Sequence, residues 1–397
     1  MAVSTWRSYG VLSGLFLLAA GFIAYAIAPA SVLPLFMESF FIDRPTASAS
    51  ISAVFFTWAL LQIPGGYVLD RYDNRQLVLG GGAVFLLVAA SSAVVTSYPL
   101  FVALRLLSGA CAVFIVVGSV NVLSRTVTEA NRSLSLSLFI ASPPLGVALA
   151  QFAGPQFALL SSWRAALFAY TVLALVGYLL FFFSLRDPIP VSGRVSIRQF
   201  ATTLRNPYVL LISVANLCTY AVWTFLTTWM PSYGTDVLGI NLAAAGAATA
   251  LVPLAGIVAR PGGGWLSEFL NGRLRLVILV SFAATVPMLY GLSSAPSPVV
   301  FALFLALAGA AVNLSVGLYL VYVNRLTDAT TQGTSLSVLL TFSQVGNLIA
   351  PVLGGWVITQ FSWAAGFGFA GVLAVLGFVT ILFAPATRDS VARPRTE

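Results

Sequence analysis

The chain has 397 residues, of which 59% are hydrophobic and only 8% are charged, and its net charge is +8. All 19 basic residues are arginines, so lysine and histidine are absent. This composition excludes a soluble globular protein, a P-loop or Schiff-base lysine and a histidine-ligated metal. Cys111 and Cys218 lie in apolar stretches and are expected to be unpaired core thiols. We therefore expect no enzyme, no catalytic residue, no metal and no cofactor.

Apolar runs of about 20 residues or more, long enough to cross a bilayer as a helix, recur twelve times. They predict an all-α integral membrane protein with twelve transmembrane helices. The first run is followed closely by a second and is therefore interpreted as a retained helix rather than a signal peptide. The predicted spans are 8–37, 46–69, 76–97, 99–124, 133–158, 163–185, 207–232, 241–269, 274–294, 297–324, 335–360 and 363–385.

The arginines are distributed unevenly over the predicted loops. If the N-terminus lies in the cytoplasm, 15 of the 19 arginines fall in cytoplasmic segments, and only Arg44 and Arg164 fall outside. This asymmetry is the positive-inside pattern, so we predict that both termini are cytoplasmic. We expect a multi-pass protein of a bacterial or archaeal cytoplasmic membrane. Because topology accounts for the basic charge, no nucleic-acid partner is expected.

The second half of the chain repeats features of the first half about 200 residues later. Ser162-Trp163 recurs as Ser362-Trp363, and Gly66-x-x-x-Asp70 aligns with Gly264-x-x-x-Glu268. Such a repeat predicts two six-helix bundles in parallel.

We predict four parts, which are the first bundle at 1–186, a cytoplasmic linker at 187–206, the second bundle at 207–387 and a cytoplasmic tail at 388–397. Within the linker, apolar residues at helical spacing predict a segment that lies on the membrane surface. They are Ile197, Phe200, Ala201 and Leu204.

Two motifs resemble the major facilitator superfamily. The first, Gly66-Tyr-Val-Leu-Asp70-Arg71-Tyr-Asp73-Asn74-Arg75, is similar to the loop between its second and third helices, although Asp73 replaces a preferred glycine and Asn74 a preferred base. The second, Arg105-x-x-Ser108-Gly109, is similar to its fourth-helix motif. With the helix number and the repeat, the resemblance covers the whole chain. It implies two bundles that rock about a central site, with cytoplasmic gating residues at Asp70, Arg71, Arg75 and, through the repeat, Glu268.

Arg105 and Arg260 are the two arginines that lie inside predicted helices. All eleven acidic residues fall at helix ends, in loops or in the tail, so neither arginine has an evident carboxylate partner. Pro261 frees a backbone carbonyl at Ile257 that could accept from Arg260. Alternatively, Arg260 faces a cavity and binds an anionic substrate, which we favour because one carbonyl does not satisfy five donors. For Arg105 the sequence leaves substrate binding and bracing of the bundle equally open.

The repeat pairs Arg260 with Gln62, since each lies four residues before the matched glycine. The segment Arg260-Pro-Gly-Gly-Gly-Trp-Leu-Ser-Glu268 resembles the eighth helix of nitrate/nitrite porters and of oxalate and monocarboxylate carriers, which implies a substrate-binding arginine at Arg260. This chain has Gln62 where nitrate porters carry a second arginine, and it lacks the eleventh-helix lysine of oxalate carriers. The resemblance therefore favours a small monocarboxylate or another small organic anion.

Further polar and aromatic residues in the middle of predicted helices are candidates to complete a pocket. They are Tyr25, Tyr220, Trp223, Asn313, Gln344 and Asn347. We expect a monomeric transporter in the lipid bilayer that moves a small anion by secondary or facilitated transport, and a proton stays open as co-substrate. Two alternatives remain, which are a proton-coupled drug exporter and a non-transporting membrane receptor of the same fold.

Overall fold

The computed structural model describes residues 5–189, 206–328 and 331–385, with side chains from Ser8 onward. The described chain is helical and contains no strand. Twelve spans are long and apolar enough to cross a membrane, which confirms the predicted number. Residues 190–205 and the tail from 386 lie outside the described residues, and so does the predicted surface segment of the linker.

The first half of the chain contains eight helices within its described residues. They are α1 (Thr5–Ser31), α2 (Leu33–Phe40), α3 (Arg44–Arg71), α4 (Asn74–Val94), α5 (Tyr98–Thr126), α6 (Glu129–Ile140), α7 (Ser142–Leu160) and α8 (Trp163–Ser184). The second half contains seven described helices. They are α9 (Pro207–Asp236), α10 (Leu242–Phe269), α11 (Leu274–Ser293), α12 (Pro298–Asn313), α13 (Val316–Leu326), α14 (Gln332–Gln360) and α15 (Trp363–Leu382).

Three of the predicted spans are each divided into two helices. The first predicted span, 8–37, is divided because α1 ends at Ser31 and α2 starts again with Pro34 in its first turn. The fifth span consists of α6 and α7, and two prolines follow the break at Ala141. Proline lacks an N–H, so it is favoured in the first turn of a helix, where no intrahelical hydrogen bond is lost.

The tenth span consists of α12 and α13 and breaks at Leu314 and Ser315 without a proline. The Ser281 hydroxyl of α11 lies at this break. It donates to the Ala311 carbonyl at 2.6 Å and lies 3.1 Å from the Ser315 hydroxyl. A side chain from the neighbouring helix thus donates to a carbonyl at the point where the backbone hydrogen bonds of α12 end.

Helix packing reflects the internal repeat. Within the first half α1 packs on α7 and α8, and within the second half α9 packs on α14 and α15. The two halves meet mainly where α3 packs on α14 and where α7 packs on α10. In the predicted repeat α3 corresponds to α10 and α7 to α14, so these two contacts are equivalent by pseudo-symmetry.

Two arginines cap equivalent helix ends. The Arg75 Nε of α4 donates to the Leu185 carbonyl at 2.6 Å, just beyond the end of α8. Arg275, 200 residues later, donates to the Leu382 carbonyl at the end of α15. Carbonyls at a helix C-terminus lack intrahelical partners and carry negative partial charge, so each arginine stabilises the last helix of its own half.

Candidate functional site

Arg105 is fully buried inside the first half, and each of its three nitrogens has a carbonyl acceptor. Nε donates to Ser50 at 3.0 Å, Nη1 donates to Tyr25 at 2.8 Å, and Nη2 donates to Ala26. Its guanidinium also lies 4.7 Å from the centre of the Tyr25 ring. The Tyr25 hydroxyl is paired with Ser92 at 2.8 Å. These contacts join α1, α3, α4 and α5, so bracing is the role that they favour for Arg105 and Tyr25.

Arg260, by contrast, has a single described partner. Its Nε donates to Asn313 Oδ1 at 3.1 Å, and Asn313 Nδ2 donates in turn to the Gly309 carbonyl at 2.8 Å. The two terminal nitrogens of Arg260 donate to no described group, the Ile257 carbonyl included, and the protein does not enclose them. The Tyr220 side chain lies near this guanidinium. Arg260 therefore keeps a planar pair of donors available.

Two glycines allow α10 to approach the tenth span closely enough for this arrangement. A Cβ at Gly256 would lie 2.6–2.9 Å from the carboxamide atoms of Asn313. A Cβ at Gly263 would lie 1.9 Å from the Leu314 carbonyl, next to the break between α12 and α13. Because Gly256 precedes Arg260 by one helical turn, the same face of α10 carries the arginine and the space for its partner.

Several predicted residues lie at the depth of Arg260. We call outer the ends of the spans that the positive-inside rule places outside the cytoplasm. Arg260 and Gln62 each lie 18 residues after the outer end of their helices, at Leu242 and Arg44. Tyr220 and Gln344 each lie 16 residues before the outer end of theirs. At about 1.5 Å per residue these positions are about 24–27 Å from the outer ends, near the middle of the bundle.

Open polar groups cluster at this depth. The Gln62 Nε2, the Gln344 Nε2 and the Tyr220 hydroxyl have no described hydrogen-bond partner and are not enclosed. The Gln62 Oε1 is enclosed and likewise lacks a described partner. With Arg260, the described open groups at this depth are rich in donors and include one formal charge.

Gln344 is the end of a chain of side-chain hydrogen bonds between α9 and α14. The Thr224 hydroxyl donates to Asn347 Oδ1, and Asn347 Nδ2 donates to Gln344 Oε1 at 3.1 Å. Both polar ends of Asn347 are thus occupied inside the protein, whereas the Gln344 NH₂ is open. Of these two predicted site residues, Asn347 is therefore bonded within the protein and Gln344 faces the open space.

Sequence reasoning missed Thr224 and Trp58. Trp58 is 6% exposed, and its indole N–H has no described acceptor, as is also true of Trp223. Trp58 precedes Gln62 by one turn on α3, a spacing that could have indicated a shared face. No sequence signal distinguishes Thr224 from the other threonines of α9, since its significance depends on the side chain that α14 places opposite.

The predicted gating residues lie at the other end of the spans. The Arg71 guanidinium is stacked on the Tyr67 ring at 4.0 Å, and Asp70 interacts electrostatically with Arg125. The Glu268 carboxylate is exposed and has no described partner. Arg75 caps α8 as described above. No described contact links these residues to the opposite half, so their gating role stays a prediction.

The substitution of Asp73 for the preferred glycine has a structural consequence. Asp73 Oδ1 accepts the backbone N–H of Arg75 at 3.0 Å and that of Ile189 at 3.0 Å. Asn74 is buried and donates to the Leu69 carbonyl at 2.8 Å. The loop therefore caps α4 and holds the chain that leaves α8, which a glycine could not do.

The described hydrogen bonds between the two halves lie in the outer half of the spans. In the described part of the chain there are three of them. They are Arg44 to Asp236 at 2.6 Å, Ser52 to the Leu348 carbonyl at 2.6 Å, and Gln151 to the Thr227 carbonyl. At the inner ends, α6 and α13 pack on helices of their own halves. The described hydrogen bonds thus join the two halves on the side opposite the arginine-rich ends, which the positive-inside rule assigns to the cytoplasm.

Twelve spans in two related groups, with open polar groups at mid-depth, define a membrane transporter of the alternating-access class. The sequence model of the Major Facilitator Superfamily matches residues 11–351 and 272–397. The chain belongs to this superfamily and is thus a multi-pass membrane transporter and not an enzyme.

Curated relatives transport several kinds of substrate. The probable nitrate/nitrite transporter NarK2 of Mycobacterium tuberculosis is 25% identical over an alignment of 326 positions that covers 78% of this chain and 79% of the relative. The hexuronate transporter of Bacillus subtilis is 21% identical over an alignment of 395 positions that covers 93% of each chain. The multi-drug resistance efflux pump PmrA of Streptococcus pneumoniae is 24% identical over an alignment of 366 positions that covers 84% of this chain and 86% of the pump.

A solved structure shares the fold. It is a bacterial homolog of the human lysosomal transporter Spinster in an inward-facing and occupied conformation. The TM-score is 0.77 at 15% identity, and the match covers 96% of this chain and 95% of the other. This likeness confirms the predicted fold class.

Proposed function

We propose that the chain carries a small organic anion of the monocarboxylate type across the membrane by alternating access. The observation that supports the proposal is the open end of Arg260. An arginine in the centre of a span costs at least about 3 kcal/mol unless it is compensated. The bond from Arg260 to Asn313 uses only Nε and brings no negative charge, whereas a carboxylate that accepts from both terminal nitrogens would offset the charge and pair with the guanidinium fork.

The surrounding groups favour a single negative charge on the substrate. Gln62, Gln344 and Tyr220 are neutral, and the described residues at this depth include no second cation and no acid. A dicarboxylate would leave one charge without a cationic partner in a site of low dielectric, which is costly. A cationic drug would meet Arg260 without a counterion, which argues against the drug-exporter alternative.

In alternating access the central site opens to one side of the membrane at a time. An anion binds the Arg260 fork, and the hydrogen bonds between the halves on the outer side have to break for the site to open outward. They are one ion pair and two neutral hydrogen bonds, each worth about 1 kcal/mol. Uniport, anion exchange and co-transport of a proton with the anion are all compatible with this site.

The proposal is tested by thermal unfolding of the purified protein with acetate or with the neutral analogue acetamide. At ten times its dissociation constant acetate should add about 1.4 kcal/mol of stability to the wild type, whereas acetamide should add little. Arg260→Ala should lose the response to acetate. Arg273→Ala, which removes an exposed arginine outside the spans, should keep it. If neither acetate, nitrate nor galacturonate stabilises the wild type, or if Arg260→Ala responds equally, the proposal is refuted.

A flux assay separates the remaining alternatives. In proteoliposomes the wild type should take up labelled pyruvate, and Arg260→Ala should not. Binding of anions without any uptake or exchange would indicate a receptor, and uptake of a cationic dye in place of pyruvate would indicate a drug exporter.

A further inference from the structure

The hydrogen-bond chain between α9 and α14 has an unusual arrangement, because it begins in the core and ends at an open group. Thr224 is fully buried and Asn347 is 4% exposed, so neither is well placed to touch a substrate. Gln344 is 8% exposed, and its NH₂ is the one polar end of the chain that is both unbonded and open.

The orientation of one amide in this chain determines that of the next. When the Thr224 hydroxyl donates to Asn347 Oδ1, the NH₂ of Asn347 must face Gln344 and can be accepted only by Gln344 Oε1. The Gln344 NH₂ then faces the open space. If both amides were reversed, Gln344 would present its carbonyl oxygen, which repels an anion.

We propose that Thr224 and Asn347 are positioning residues that turn Gln344 so that its NH₂ donates to the bound anion. The inference rests on the proposed function and assigns the second donor of that site. A neutral donor fixed in this way adds recognition without adding charge, in keeping with a singly charged substrate. Hydrogen bonds in such a series also polarise one another, which strengthens the terminal donor.

The expected effects are specific to the hydroxyl and to Gln344. Thr224→Val, which keeps the shape of the side chain, should raise the dissociation constant for acetate about five- to tenfold, the effect of one lost hydrogen bond. Thr224→Ser should retain wild-type affinity because it keeps the hydroxyl. Gln344→Met should weaken binding by a similar factor.

A double-mutant cycle distinguishes positioning from a general structural effect. If Thr224 acts through Gln344, Thr224→Val should cost no further affinity in the Gln344→Met background, with acetate titrated by calorimetry. An equal loss in both backgrounds overturns the proposal, and so does wild-type affinity in Gln344→Met, a result that needs no folded Thr224 variant. If either of these results is found and Arg260→Ala still loses acetate binding, the positioning role is refuted and the proposed function stands. If Arg260→Ala binds acetate as the wild type does, both the positioning role and the proposed function are refuted.

Discussion

Replacement of Gly256 by alanine should uncouple Arg260 from Asn313 without a change in either residue. The new Cβ would lie as close as 2.6 Å to the Asn313 carboxamide, whereas ordinary contact begins at 3.4 Å. Asn313 must therefore retreat by about 0.8 Å, the difference of these distances. Its bond from Arg260 Nε, now 3.1 Å, would lengthen to about 3.9 Å and would be lost.

The size of the effect follows from the kind of bond. A hydrogen bond to a charged group contributes about 1.5–3 kcal/mol. An anion would then have to order a free guanidinium. The affinity of the protein for the anion should therefore fall about tenfold or more, since tenfold corresponds to about 1.4 kcal/mol. The unfolding temperature of the ligand-free protein should change little. Alanine favours the helix by about 0.5–1 kcal/mol over glycine, which partly offsets the displaced side chain.

Isothermal calorimetry with acetate measures this effect, and Gly262→Ala is the matched control. Gly262 lies on the same helix, two residues after Arg260, and a Cβ there meets no atom within 4 Å. Gly262→Ala should bind acetate as the wild type does. The reasoning fails if Gly256→Ala keeps wild-type affinity, or if Gly262→Ala loses as much.

Four further substitutions test other parts of the structure. Arg105→Leu removes three buried hydrogen bonds from a charged donor, at about 1.5–3 kcal/mol each, so calorimetric unfolding should show a large loss of stability. A stable variant without acetate binding would instead place Arg105 in the site. Arg75→Ala and Arg275→Ala should each lower stability by about 0.3–1 kcal/mol and leave acetate affinity unchanged, and unequal losses would contradict their equivalence. Asp236→Asn removes an ion pair worth at most about 1 kcal/mol and should increase labelling of a Ser48→Cys reporter from the outer side. Unchanged labelling would show that this pair does not hold the outer side closed.

Local properties of the sequence predicted the architecture well. Hydropathy of about 20 residues at a time decides whether a segment can enter a bilayer, so the twelve spans were predictable without knowledge of their neighbours. The breaks at Ser31 and Ala141 are each followed within three residues by a proline that is visible in the sequence, Pro34 and Pro143. The break at Leu314 was not predictable, because Ser281 of a neighbouring helix supplies its hydrogen bond.

The sequence alone determined that two arginines, Arg105 and Arg260, lie within membrane spans and have no nearby acid. It could not determine which of them is available, because a guanidinium is satisfied by groups that are distant in the chain. Tertiary packing brings three backbone carbonyls to Arg105, from residues 55 to 80 positions away. Among the described residues it brings one amide oxygen to Arg260, from Asn313, and leaves the other donors of Arg260 open. Polarity is a local property of the sequence, whereas satisfaction of a polar group depends on the fold.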